Sequence, residues 1–129
     1  MSGLSLGERL RSFVHAGAGV RAIFATQHNA WIHAAVSVAV VGAGLAFGVS
    51  LAEWCWLVLA MALVWAAEGF NTAIEALADA LHPERDPGVG RAKDVAAGAV
   101  LLAAIGAAVI GVLVLGPHLL RWLGAPIGS

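Results

Sequence analysis

The sequence predicts an all-α integral membrane protein: an amphipathic helix on the membrane surface, followed by three membrane-spanning helices packed as a bundle. Three observations carry this reading. Hydrophobic residues make up 60% of the chain and charged residues 12%, against about 25% charged in a soluble domain. The mean hydropathy is +0.88, so the chain lacks the polar surface to cover itself in water. Two runs free of Asp, Glu, Lys and Arg also reach the length of about 20 residues that a hydrocarbon core requires. The 129 residues suffice for a single domain, 1–129.

The first element is expected over residues 5–26, "SLGERLRSFVHAGAGVRAIFAT". Leu6, Leu10, Phe13, Val14 and Val20 recur at roughly helical spacing, interrupted by Arg9, Arg11, His15 and Arg21. That mixture suits a helix lying in the interface plane. The N-terminus has no long apolar core or cleavage site of a signal peptide, so the mature protein is expected to keep its whole chain.

The first span is expected over 30–49, "AWIHAAVSVAVVGAGLAFGV". A second runs from Trp54 to about Leu81, lipid-like in "WCWLVLAMALVWAA" and then increasingly polar. The third, over 95–115, is the cleanest, and Gly116 and Pro117 are expected to stop it. Gly and Ala are abundant in all three, which favours close helix packing within or between chains. A GC-rich genome accounts for that composition equally well. Cys55 is the only cysteine, which excludes an intrachain disulfide, and no Cys/His zinc pattern is present.

Basic residues set the orientation. Arg9, Arg11 and Arg21 precede the first span, and Arg85, Arg91 and Lys93 lie in the loop between the second and third. Arg121 alone lies on the other side. The N-terminus and the second loop therefore belong in the cytoplasm. A net charge of −1 with no basic run argues against nucleic-acid binding.

The chemistry concentrates in "WAAEGFNTAIEALAD", residues 65–79. At about 100° per residue, Glu68, Asn71, Glu75 and Asp79 fall within about a quarter of the helix circumference. Ionisable residues in a span face a protein interior or a cavity, which makes this stripe a candidate site. Carboxylates one turn apart repel each other, and a hard cation such as Mg²⁺ taken by carboxylate, amide and phosphate oxygens would relieve that. For Asp79 a solvated helix end is as good an account as a ligand. In "GRAKD", residues 90–94, Lys93 offers a point charge for phosphate, and Asp94 an acceptor or a helix cap. Lys93 and Arg91 serve equally as positive-inside anchors.

"AEGFNTAIEALAD", followed after a short loop by "GRAKDVAAGAVLLAA", resembles the prokaryotic diacylglycerol kinase and undecaprenol kinase family. The resemblance extends over "RSFVHAGAGV" and "WIHAAVSVAVVGAGLAFGVSLAEW". It implies a homotrimeric, multi-pass lipid kinase of the bacterial inner membrane, with active sites shared between protomers and facing the cytoplasm. Such an enzyme uses ATP and Mg²⁺ to phosphorylate a membrane alcohol, undecaprenol or diacylglycerol. Glu68 would be the general base for the lipid hydroxyl and Glu75 a Mg²⁺ ligand. Asn71, Asp79, Lys93 and Asp94 would bind the nucleotide, with Asn71 also supporting the metal, and Arg21 and Trp65 would meet the lipid.

One position departs from the family pattern, which has a second metal-binding Glu just before the first span. Here the chain reads Thr26-Gln27-His28-Asn29. Gln27 can offer an amide oxygen to the metal but lacks the charge, which leaves His28, Asn29 or the nucleotide phosphates to compensate. Two readings rival the kinase: a non-catalytic trimeric relative whose Gln27 marks lost metal binding, and, on the intramembrane carboxylates, a small transporter or proton relay. The second is weakened because the carboxylates gather at one membrane face.

Overall fold

The computed structural model describes residues 5–124. Residues 1–4 and 125–129 lie outside it, so the expected leaderless N-terminus and the far end of the C-terminal tail are not described. The order is α1 (Leu6–Thr26), α2 (His28–Phe47), α3 (Leu51–Leu81) and α4 (Pro87–Trp122). The described residues contain no strand. Helices α2, α3 and α4 are each long and apolar enough to cross a membrane.

The helix starts are written in local sequence. Ser5 and Glu8 form a capping box at α1, and Ser50 and Glu53 form another at α3. The second box starts α3 three residues before the expected Trp54. Asp86 caps α4 by accepting hydrogen bonds from the N–H groups of Gly88 and Val89, with Pro87 at the first helical position. Asp94 is therefore not a cap. It lies inside α4, which begins well before the expected residue 95.

The far end of α4 also differs from expectation. Pro117 does not stop the helix, which runs on to Trp122. Proline removes one backbone donor, but in an apolar medium a broken helix would strand several backbone groups. Continuing through one missing bond is the lesser cost.

Helix α1 has no buried residue. Leu6, Leu10, Phe13 and Val14 are all exposed along it, as an interfacial helix requires. The core lies mainly between α3 and α4, with Leu57, Ala60 and Val64 buried on the first and Ala96, Val100 and Ala103 on the second. Small side chains on α4 let the two backbones draw together. At the α2–α3 turn, Gly48 adopts φ +63°, the left-handed conformation that ends α2. Nearby, a Cβ at Gly44 would lie 2.6 Å from the Trp54 ring, so that indole packs directly on the α2 backbone.

Large apolar residues remain exposed on all three spans, among them Val38, Phe70, Leu102 and Leu113. Lipid or further copies of the chain must cover them.

Candidate active site

Gln27 begins the site because it belongs to neither helix. Its extended backbone (φ −108°, ψ 114°) separates the surface helix from the first span. That corner presents its side chain to α3, where its Nε2 donates to Glu75 Oε2 at 2.6 Å. The other Glu75 oxygen accepts from Asn71 Nδ2, one turn away, at 3.2 Å. Both oxygens of this carboxylate therefore receive amide donors. Where two carboxylates would need a cation between them, Gln27 and Glu75 pair directly.

Glu68 lies two turns deeper and is only 1% exposed. Its Oε2 stands 3.7 Å from His33 Nε2 on α2. Thr72 donates its hydroxyl to the Glu68 carbonyl, which satisfies the threonine within its own helix. Among the described residues, three buried side-chain polar atoms are left without a partner: Glu68 Oε1, His33 Nε2 and Asn71 Oδ1. Buried polar atoms are rarely left unpaired, and here three gather at one place. Glu68, Asn71, His33, Gln27 and Glu75 all line a pocket of about 270 Å³.

The remaining candidates separate from this pocket. Asp79 pairs with Lys93 across the α3–α4 loop, beside a second, open cavity that includes Arg85 and Gly90. Asp94 and Arg21 are exposed and line neither. Trp65 joins three elements: its Nε1 donates to Ser37 Oγ at 3.2 Å, and its ring meets Phe24 of α1 at 5.3 Å and His33 at 6.2 Å.

Helix length explains the depth of these residues. The 31 residues of α3 extend about 46 Å, beyond a hydrocarbon core of about 30 Å. Asp79 and Glu75 thus fall near the membrane edge, with Glu68 below them. Among the described residues, no group of three or more His, Cys, Asp or Glu side chains converges as a metal site.

The sequence pattern of the prokaryotic diacylglycerol kinase family matches residues 14–115. The chain belongs to this family. One relative, the undecaprenol kinase of Bacillus subtilis, is 37% identical over 114 residues, covering 88% of this chain and 93% of the relative. Another, the diacylglycerol kinase of Synechocystis, is 42% identical over 112 residues, covering 86% of this chain and 64% of the relative. No solved structure matches. The chain is accordingly a membrane lipid kinase, a phosphotransferase acting on an alcohol group.

One side chain lining this pocket lies outside the sequence motifs: His33. The signal was available, since a titratable residue within a span marks a functional position by default. The motif runs along α3, whereas His33 lies on α2 and comes near Glu68 only across the helix pair.

Proposed function

We propose that this kinase transfers the γ-phosphate of ATP to the hydroxyl of undecaprenol or diacylglycerol, in a Mg²⁺-dependent reaction at the cytoplasmic face of the bacterial inner membrane. The observation that carries the reading is Glu68. It is a buried carboxylate with one unpartnered oxygen, lining the polar pocket, which shares Ile32, His33 and Ala104 with an apolar cavity of about 340 Å³ between the spans. A lipid alcohol needs both surroundings at once, hydrocarbon for its chain and a base for its hydroxyl.

Glu68 Oε1 accepts the hydroxyl proton as the alcohol oxygen bonds to the γ-phosphorus and the bond to the bridging oxygen of ADP breaks. Glu75 and Asn71 Oδ1 would hold the metal. With one carboxylate and one free amide oxygen they suit a cation whose remaining ligands are phosphate oxygens. When bound, Mg²⁺ neutralises charge on the transferring phosphate. Lys93 releases Asp79 to meet the phosphates, Asp79 and Asp94 help to place the nucleotide, and Arg21 and Trp65 guide the lipid toward the pocket.

The basic residues flanking the spans support the cytoplasmic orientation. The uncovered apolar faces, together with the family resemblance, support a homotrimer. A second reading, a non-catalytic relative, rests on the direct Gln27–Glu75 pair, which needs no metal.

Transfer of labelled γ-phosphate in mixed micelles tests the proposal. The expected result is a phosphorylated lipid that forms with Mg²⁺ and not in its absence. If neither undecaprenol nor diacylglycerol is phosphorylated, the non-catalytic reading takes its place.

A further inference from the structure

An unpartnered buried atom of α2, His33 Nε2, faces the Glu68 carboxylate of α3, whose Oε2 lies 3.7 Å away and whose Oε1 is itself unpartnered. Their 3.7 Å separation is too long for a good hydrogen bond between them. A third atom about 2.8 Å from each would bridge them. His33 also lines both cavities, the apolar one between the spans and the polar one holding Glu68 and Glu75. Among the side chains shared by the two, Ile32 and Ala104 offer no polar atom, so the imidazole is the polar group at the junction.

We propose that His33 is a substrate-positioning residue, which donates its Nε2–H to the oxygen of the lipid alcohol while Glu68 accepts the alcohol's proton. An alcohol has one donor and two lone pairs, which matches one imidazole N–H and one carboxylate oxygen. The nearby Glu68 carboxylate selects the tautomer with hydrogen on Nε2, because the alternative would set a lone pair against an anion. Trp65, edge-on to His33 and bonded to Ser37 one turn along α2, fixes the ring's place. In the reaction the hydroxyl proton goes to Glu68, the alcohol oxygen bonds to the γ-phosphorus, and ADP leaves with the electron pair of the broken bond. His33 keeps its proton throughout and aims the attacking lone pair.

This assignment rests on the kinase reading with Glu68 as base, and kinetics separate the two. The full chain in mixed micelles is assayed with undecaprenol and MgATP varied independently. His33→Ala is expected to lower kcat/KM for the alcohol by about tenfold or more, the scale of one lost hydrogen bond to a substrate in a buried site, with KM for MgATP unchanged. The amide nitrogen of His33→Gln reaches the position of Nε2 and restores most of the loss. His33→Asn, whose amide is one carbon shorter, does not. If His33→Ala fails to fold in micelles, the Gln and Asn variants decide the matter between them.

Unchanged alcohol kinetics in His33→Ala overturn the assignment. So does equal behaviour of the Gln and Asn variants, or a parallel rise in both KM values, which marks a general structural role. A wild-type chain that phosphorylates no lipid alcohol overturns the kinase reading, and the role of His33 falls with it.

Discussion

The two ends of the bundle treat their polar groups in opposite ways. At the end near the Gly48 turn, Glu53 accepts from the Ser50 backbone through one oxygen and pairs with His118 Nε2 at 2.8 Å through the other. The remaining His118 nitrogen meets Arg121 at 3.2 Å, and the imidazole stacks on Phe47. The chain of partners is closed. At the end where α1 turns into α2, Glu68, His33 and Asn71 each keep a buried atom unpaired. A closed network stabilises a fold, whereas unmet hydrogen-bonding capacity in a buried place is open to a ligand, an ion or a water. The difference separates an anchor from a site.

The sharpest way to break this comparison is to remove one group at each end. Glu68→Gln is expected to reduce phosphate transfer by about 10²–10⁴-fold, the usual contribution of a general base, with the melting temperature in micelles held or raised. His118→Ala is expected to do the reverse, leaving the transfer rate within about twofold and lowering the melting temperature by a few degrees. Activity lost at the anchor end, or kept without Glu68, would erase the distinction.

Gly44→Ala probes packing near the anchor. The added methyl meets the Trp54 ring at 2.6 Å, so we expect a destabilisation of about 1–3 kcal/mol from overpacking. Thermal unfolding would show it, and a neutral result would mean that the indole moves aside freely.

Gln27→Glu probes the site more gently. It replaces an amide donor 2.6 Å from Glu75 with a second carboxylate, and the pair then calls for a cation. The Mg²⁺ concentration giving half-maximal rate should fall several-fold, and the variant without Mg²⁺ should melt earlier than the wild type. An unchanged Mg²⁺ titration would show that the neutral side chain costs the site nothing.

The smallest effect is expected at the loop. The backbone N–H groups of Val89 and Gly88 hold the Asp86 carboxyl below its ordinary range. Its folded pKa is lowered, so its contribution is complete above the unfolded value of about 3.9 and is lost as pH falls through the lowered one. Amide exchange in the first turn of α4 should quicken in Asp86→Ala at neutral pH. The protection of those amides relative to the intrinsic exchange rate at each pH should fall in acid for the wild type and change little in the variant.

Much of this was legible in the residues themselves. Uncharged runs marked the spans, and the spacing of Glu68, Asn71 and Glu75 placed them on one stripe that the structure turns into a pocket. The end of α4 was not legible, because a proline's effect depends on the medium around it. Nor was the division of the acidic stripe, in which Asp79 leaves Glu75 for Lys93 on the neighbouring helix.

By itself, then, the sequence determined the membrane class, the helix order and the face on which α3 carries its carboxylates, since periodicity and hydropathy are local properties of the chain. Tertiary structure alone decided the partners. Gln27 reaches Glu75 across 48 positions, and His33 meets Glu68 only because α2 packs beside α3. Such pairings depend on how helices pack, and packing leaves no period in the sequence to read.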